Sequence, residues 1–216
     1  MKTVAVIDYG MGNLHSVAKA LEHVATNTKV VVSSDPQTIL AADRVVLPGV
    51  GAIRDCMAEL QRLGMDEVVR EVAQNKPLLG VCIGMQALLE FSAENAGVDC
   101  LGLLPGRLEF LGDAFKRNPP SEHLKVPHMG WNQVHQADPG HPMWQGIKQD
   151  SAFYFVHSYF LPDFMAEGVC AATTEYGQYF CSAVTKGNIF ATQFHPEKSA
   201  EAGLCLYRNF LVWDGN

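Results

Sequence analysis

Along the first half of the chain, short β-branched apolar runs alternate with longer stretches whose apolar positions recur every three or four residues. That alternation is the pattern of parallel strands joined by crossover helices. It predicts strands at residues 4–7, 29–32 and 44–47, and helices at 14–24 and 35–41, the second capped by Asp35 with Pro36 at its first position. After the Pro48-Gly49-Val50-Gly51 turn it predicts helices at 53–63 and 66–75, broken by Gly64, and then a fourth strand at 77–81. That strand is apolar on both faces, as one buried between two helix layers must be. A helical pattern follows at 85–91. From Gly102 onward the texture changes to alternating runs at 107–110, 131–135 and 152–156, which read as antiparallel or mixed strands. Residues 179–184 and 189–194, joined through Lys186-Gly187-Asn188, predict a hairpin, and 201–213 an amphipathic helix. The expected fold class is therefore α/β: an open, mostly parallel twisted sheet with helices on both faces and an added antiparallel or mixed strand region. No repeat or linker interrupts the 216 residues, so a single domain over 1–216 is expected.

Composition narrows the partners. With 48% apolar and 18% charged residues the chain can build a dense core, which excludes intrinsic disorder. Its 16 basic and 23 acidic residues leave a net charge of −7, the wrong sign for a phosphate backbone or an anionic membrane surface. Neither nucleic acid nor membrane is an expected partner. Cys56, Cys82, Cys100, Cys170, Cys181 and Cys205 are scattered, without CxxC or zinc-type spacing, so no metal is expected. The N-terminal apolar run is too short for a signal peptide, and the longest apolar stretch, 78–89, is shorter than the ~20 residues that span a bilayer. A soluble, intracellular chain with reduced thiols is expected.

The chemistry concentrates in Gly80-Val81-Cys82-Ile83-Gly84, which runs from the buried fourth strand into a helical pattern. Gly-x-nucleophile-x-Gly in that setting is a nucleophile elbow, a strained turn that holds the side chain out at the sheet edge. Cys82 would then stand at a helix N-terminus, where unpaired N–H groups favour a thiolate. The plainer alternative is a small apolar filler between glycines that ease packing. The second constellation is Gln193-Phe194-His195-Pro196-Glu197. Residues two apart in an extended segment project together, so Glu197 can orient the His195 ring and fix its tautomer. Alone, His-Pro-Glu at a strand end is more often a solvated turn. Together the two gain weight, because a doubly wound sheet delivers strand-end loops to one edge. Gly49, Val50 and Gly51 reach the same edge, where a backbone N–H beside that of Ile83 would form an oxyanion hole. Gly10-Met11-Gly12-Asn13 lacks the third glycine of a dinucleotide fingerprint, since position 15 is His15.

Gly80-Val81-Cys82-Ile83-Gly84-Met85-Gln86 and Phe194-His195-Pro196-Glu197 together resemble the two defining motifs of the class I, triad-type glutamine amidotransferases. Within that family the chain is similar to stand-alone glutaminase subunits. The narrower match rests on Asp8-Tyr9-Gly10-Met11-Gly12-Asn13, Pro48-Gly49-Val50-Gly51, Pro127-His128-Met129-Gly130-Trp131-Asn132 and Phe155-Val156-His157-Ser158-Tyr159. The resemblance implies a flavodoxin-like sheet, Cys82, His195 and Glu197 as triad, L-glutamine as substrate and no cofactor. It also implies that Gln86, Glu94, His157, Ser158 and Tyr159 contact the glutamine, and that a cyclase subunit receives the ammonia with Asn13 and Trp131 on the partner face. Read without the family, His157 is a core or rim histidine and Trp131 core filling. Ile53 and Cys56 stand where an aromatic and a small residue are expected, and Lys198 where arginine is frequent; Ile53 leaves the packing behind the oxyanion segment open. Modules feeding other synthases, and a catalytically silent interaction domain on the same scaffold, are the competing readings.

Overall fold

The computed structural model describes residues 1–163 and 168–215. Its centre is a run of five parallel strands in the order β2 (Thr28–Ser33), β1 (Lys2–Ile7), β3 (Arg44–Gly49), β4 (Leu78–Cys82), β13 (Ile189–Thr192). β3, β4 and β13 are buried at every residue, as the unbroken apolar runs require of strands covered on both faces. β2 is the edge, and Val32 is exposed there.

Chain direction across the sheet decides which face each helix covers. β1 to β2 steps one way and every later crossover steps the other, so right-handed connections put the first helix opposite the rest. Accordingly α1 (Leu14–Val24) packs against α7 (Ala200–Val212), while α2 (Pro36–Ala41), α3 (Ile53–Arg62), α4 (Met65–Asn75) and α5 (Ile83–Leu88) form the other layer. Asp35 caps α2 by accepting from the Thr38 N–H at 3.0 Å, with Pro36 in the first turn as expected. α5 ends at Leu88, earlier than its pattern predicts. Phe91 belongs instead to β5 (Phe91–Ser92), part of a small ladder with β6 (Val98–Asp99) and β7 (Arg107–Phe110).

Beyond β13 the ladder turns antiparallel through β12 (Tyr179–Lys186), which closes the predicted hairpin, and β10 (Tyr159–Pro162). A branch leaves β12 through β11 (Cys170–Glu175) to β8 (His128–Gln136) and β9 (Ser151–His157). β10 continues to β7, and α6 (Leu111–Arg117) follows that strand. One expectation needs correction here. Cys170 and Cys181, on the neighbouring strands β11 and β12 with Cα atoms 5.8 Å apart, are joined as a disulfide rather than held as reduced thiols. Adjacent strands bring Cβ atoms within bridging distance, a proximity that the 11-residue separation in sequence does not announce. Cys56, Cys82, Cys100 and Cys205 are free.

Candidate active site

Parallel pairing aligns the C-terminal ends of β3, β4 and β13, so the residues just past them meet at one edge. Gly49 is in register with Cys82, and Val81 with Thr192. At the end of β4, Cys82 adopts φ 55° and ψ −109°, a sparsely populated conformation for a side chain with a Cβ. The surroundings explain why the elbow needs glycine on both sides. A Cβ on Gly84 would lie 1.9 Å from the Leu47 carbonyl oxygen, and one on Gly80 would lie 2.8 Å from Leu88 Cδ1. α5 is therefore pressed directly onto the sheet, and the chain has to turn within one residue.

His195 and Glu197 follow β13 in a single 3-10 turn. Glu197 Oε1 is 2.9 Å from His195 Nδ1, and the two side chains are only 2% and 1% exposed. A carboxylate accepts, so Nδ1 carries the proton and Nε2 is left to exchange one. Nε2 is buried without a hydrogen-bond partner among the described residues, and His195 shares the lining of a cavity with Cys82. Burial opposes protonation of His195, but the nearby Cys82 sulfur, joined by the hydrogen bond and charge of Glu197, outweighs it and raises the imidazole from 6.5 to about 10. Three contacts hold the turn. Ser199 Oγ donates to the His195 carbonyl at 2.6 Å and accepts from the Tyr154 N–H at 2.9 Å, and the His195 N–H donates to the Tyr154 carbonyl at 2.9 Å. The Tyr207 hydroxyl reaches the second Glu197 oxygen at 3.4 Å.

The cavity measures about 380 Å³. Val50, Gly51 and Ile83 line it, as do Gln86, Glu94, His157, Ser158 and Tyr159. Gly49 is placed one layer behind, where a Cβ would lie 2.8 Å from the Gly84 nitrogen and from the Tyr9 hydroxyl, so its part is close packing rather than lining. One carboxylate oxygen of Glu94 accepts the Ile53 N–H at the start of α3, at 3.1 Å. His157 Nδ1 donates to the Tyr159 carbonyl at 2.8 Å. A larger groove of about 510 Å³ runs beside β8 and β11, lined by Asn132, His135, Glu175 and Tyr176, and holds no cysteine. Chemistry, not size, distinguishes the first.

Several supports carry no role in the sequence reading. The Tyr9 hydroxyl donates to the Pro48 carbonyl at 2.8 Å and lies 3.3 Å from Cys56 Sγ, so Tyr9 and Cys56 together back the glycine segment. Burial and the neighbouring Cys56 hold the Tyr9 phenol well above its ordinary range, so it stays a donor. His128 Nδ1 is 2.9 Å from His157 Nε2. Gln193 is fully buried between Gln86 and Cys82. Trp131 is 55% exposed, which overturns its reading as core filling and leaves it free on the surface of β8, edge-on to Tyr154. Asn13 is half-buried at the start of α1.

Three comparisons bear on this arrangement. The profile of the family described as "Glutamine amidotransferase class-I" matches residues 5–212. Over 215 residues, covering 100% of this chain and 99% of theirs, the chain is 60% identical to "Imidazole glycerol phosphate synthase subunit HisH 1" of Pseudomonas aeruginosa and 59% identical to "Imidazole glycerol phosphate synthase subunit HisH" of Pseudomonas putida. Among solved structures it is similar in fold to "Structure of PurLQS from Thermotoga maritima", with a TM-score of 0.71 at 18% identity over 97% of both chains.

Proposed function

The chain belongs to the class-I glutamine amidotransferase family, and from that premise we propose that it is the glutaminase subunit of imidazole glycerol phosphate synthase. It hydrolyses L-glutamine to glutamate and ammonia. The ammonia passes to a cyclase subunit, bound as a heterodimer, which forms imidazole glycerol phosphate and an aminoimidazole carboxamide ribotide in histidine biosynthesis. Among the described residues no helix is long and apolar enough to cross a membrane, in keeping with work in the cytoplasm. The observation that carries the reading is that His195, paired in the interior with Glu197, shares one cavity with Cys82 on its strained turn.

The steps follow from these groups. Cys82 Sγ attacks the side-chain amide carbon of glutamine, and the developing oxyanion takes N–H groups from Ile83 and from the Val50-Gly51 segment. His195 Nε2 gives its proton to the departing nitrogen, which leaves as ammonia, and the acyl group remains on sulfur as a thioester. The imidazole then takes a proton from water as the water oxygen attacks the thioester carbon. Collapse expels the sulfur and releases glutamate. Glu197 keeps the ring in the required tautomer throughout, and Gln86, Glu94, His157, Ser158 and Tyr159 hold the amino-acid end. Asn13 and Trp131 face the cyclase. The glycines around Val50 allow the oxyanion donor to turn away in the lone subunit and to return when the liganded cyclase favours that state.

Replacing Cys82 by Ala should abolish glutamine hydrolysis while the assembled enzyme still makes product from ammonium salt. Steady-state ammonia release, with and without the cyclase and its ligand, measures both claims. Hydrolysis retained in the Cys82 variant overturns the assignment of the nucleophile. Full turnover by the lone chain overturns the gating.

A further inference from the structure

We propose that Gln193 is a positioning residue for glutamine hydrolysis: its side-chain amide donates to the Cys82 sulfur and accepts from Gln86 Nε2, holding the Gln86 side chain in one orientation at the cavity wall. The inference rests on the reading of Cys82 as nucleophile and goes beyond the triad. Its direction follows from one backbone group. The Tyr159 carbonyl can only accept, so the Gln86 atom that meets it at 3.5 Å is Nε2. The same nitrogen is 2.9 Å from Gln193, which must therefore present Oε1 to it. That leaves Gln193 Nε2 on the opposite side, 3.8 Å from Cys82 Sγ. It also leaves Gln86 Oε1 buried, unpaired among the described residues, on a side chain that lines the cavity.

Gln193 is 0% exposed, at the end of β13 where the Cys82 turn crosses, and its backbone N–H is already used by the Ser182 carbonyl at 2.9 Å. A buried amide is costly unless its groups are paired, and these two pairings supply one donor contact and one acceptor contact. An N–H beside the sulfur fixes its place on the turn, and a hydrogen bond there counts most in a site that excludes water. One residue thus holds both the nucleophile and a residue of the cavity wall, acting through two neighbours rather than by lining the cavity itself.

The test is Gln193→Met, which keeps roughly the side-chain volume and removes both the donor and the acceptor. The readouts are the rate at which iodoacetamide alkylates Cys82 at neutral pH, referred to Cys100 in the same sample by peptide mass spectrometry, and kcat and KM for glutamine in the cyclase-bound enzyme. Alkylation should slow by about tenfold, the size of a hydrogen bond to a charged acceptor, kcat should fall with it, and KM should rise as Gln86 becomes free to turn. A role in packing alone leaves the alkylation ratio unmoved, and that result overturns the proposal. If the Met variant does not fold, Gln193→Glu serves. A protonated carboxyl reproduces the donor and the acceptor, whereas an ionised one only accepts. The variant's alkylation rate relative to the original chain should then fall between about pH 6 and about pH 9, where buried carboxyls titrate. A constant ratio overturns the proposal. Glutamine hydrolysis surviving Cys82→Ala would remove the nucleophile reading itself, an outcome separate from either.

Discussion

Two histidines hydrogen-bonded to each other in the core should make this protein acid-labile above the pH at which carboxylates protonate. Their polarity is fixed from one end. His157 Nδ1 donates to the Tyr159 carbonyl, so its Nε2 accepts from His128 Nδ1, and His128 Nε2 accepts from Asn132 Nδ2 at 3.3 Å. A second proton on either ring would set two donors against each other. Burial, joined by the other ring, pushes His128 from 6.5 to about 3. Burial, opposed by the Tyr159 carbonyl and assisted by His195, takes His157 from 6.5 to about 4. Both folded values lie below the unfolded one, so the native state binds fewer protons, and the contribution is full above 6.5 and lost as the pH falls through that window. Two such groups give a slope of about 3 kcal/mol per pH unit, or on the order of 5 kcal/mol between about pH 7 and about pH 4.5. That is comparable with the whole stability of an ordinary domain, ~5–15 kcal/mol. His141, lowered by burial against Asp138, acts in the same direction. His195, raised to about 10, is protonated in both states over most of the window and adds little slope. Urea unfolding followed by tryptophan fluorescence across this range measures the slope. His128→Gln, whose amide can donate to His157 and accept from Asn132, should cut the pair's share of the slope to about half, leaving the His141 share unchanged. An unchanged slope in that variant refutes the reasoning.

Two further outcomes follow from the elbow and the triad. Glu197→Gln removes the carboxylate 2.9 Å from His195 Nδ1, and loss of a hydrogen bond to a charged group should lower kcat by about 10- to 100-fold. The same change lowers His195 from about 10, so the alkaline limb of the glutaminase profile should move to lower pH, and a limb that stays in place counts against the imidazolium as acid. Gly84→Ala puts a Cβ 1.9 Å from the Leu47 carbonyl oxygen, which α5 can relieve only by lifting from the sheet. Thermal unfolding should show a loss of about 3 kcal/mol or more, above the usual range for overpacking, and an unshifted midpoint would mean that the helix is not pressed there.

The parallel half of the sheet was readable because its signals are local. Apolar runs gave β3 and β4 without regard to partners, Asp35-Pro36 marked the start of α2, and Gly64, at φ 66°, separated α3 from α4 as a left-handed position. The elbow was readable because steric need writes glycine two residues either side of Cys82. What escaped depends on distance across the chain. Gln86 and Gln193 lie 107 residues apart, and Tyr9 reaches Cys56 over 47. The Cys170–Cys181 bridge depends on which strands pair, and the exposure of Trp131 is not written in its alternating run, where a large aromatic usually takes the buried face.

Some of the buried polar set was nevertheless within reach of the pattern. In β9, Phe153, Phe155 and His157 share one face by the two-residue period, and the phenylalanines announce that this face is the core. A histidine on it must find a partner there, and the same alternation on β8, read across the observed register in which His128 faces His157, supplies one. β13 offers no alternation because it is covered on both sides, so a glutamine one residue past its end enters the interior whichever way it points. A polar residue on a face or in a strand that the apolar pattern assigns to the core carries information that an apolar one does not. The fold must satisfy its hydrogen bonds, and in this chain the groups that satisfy Gln193 and His157 are those surrounding the candidate nucleophile and its cavity.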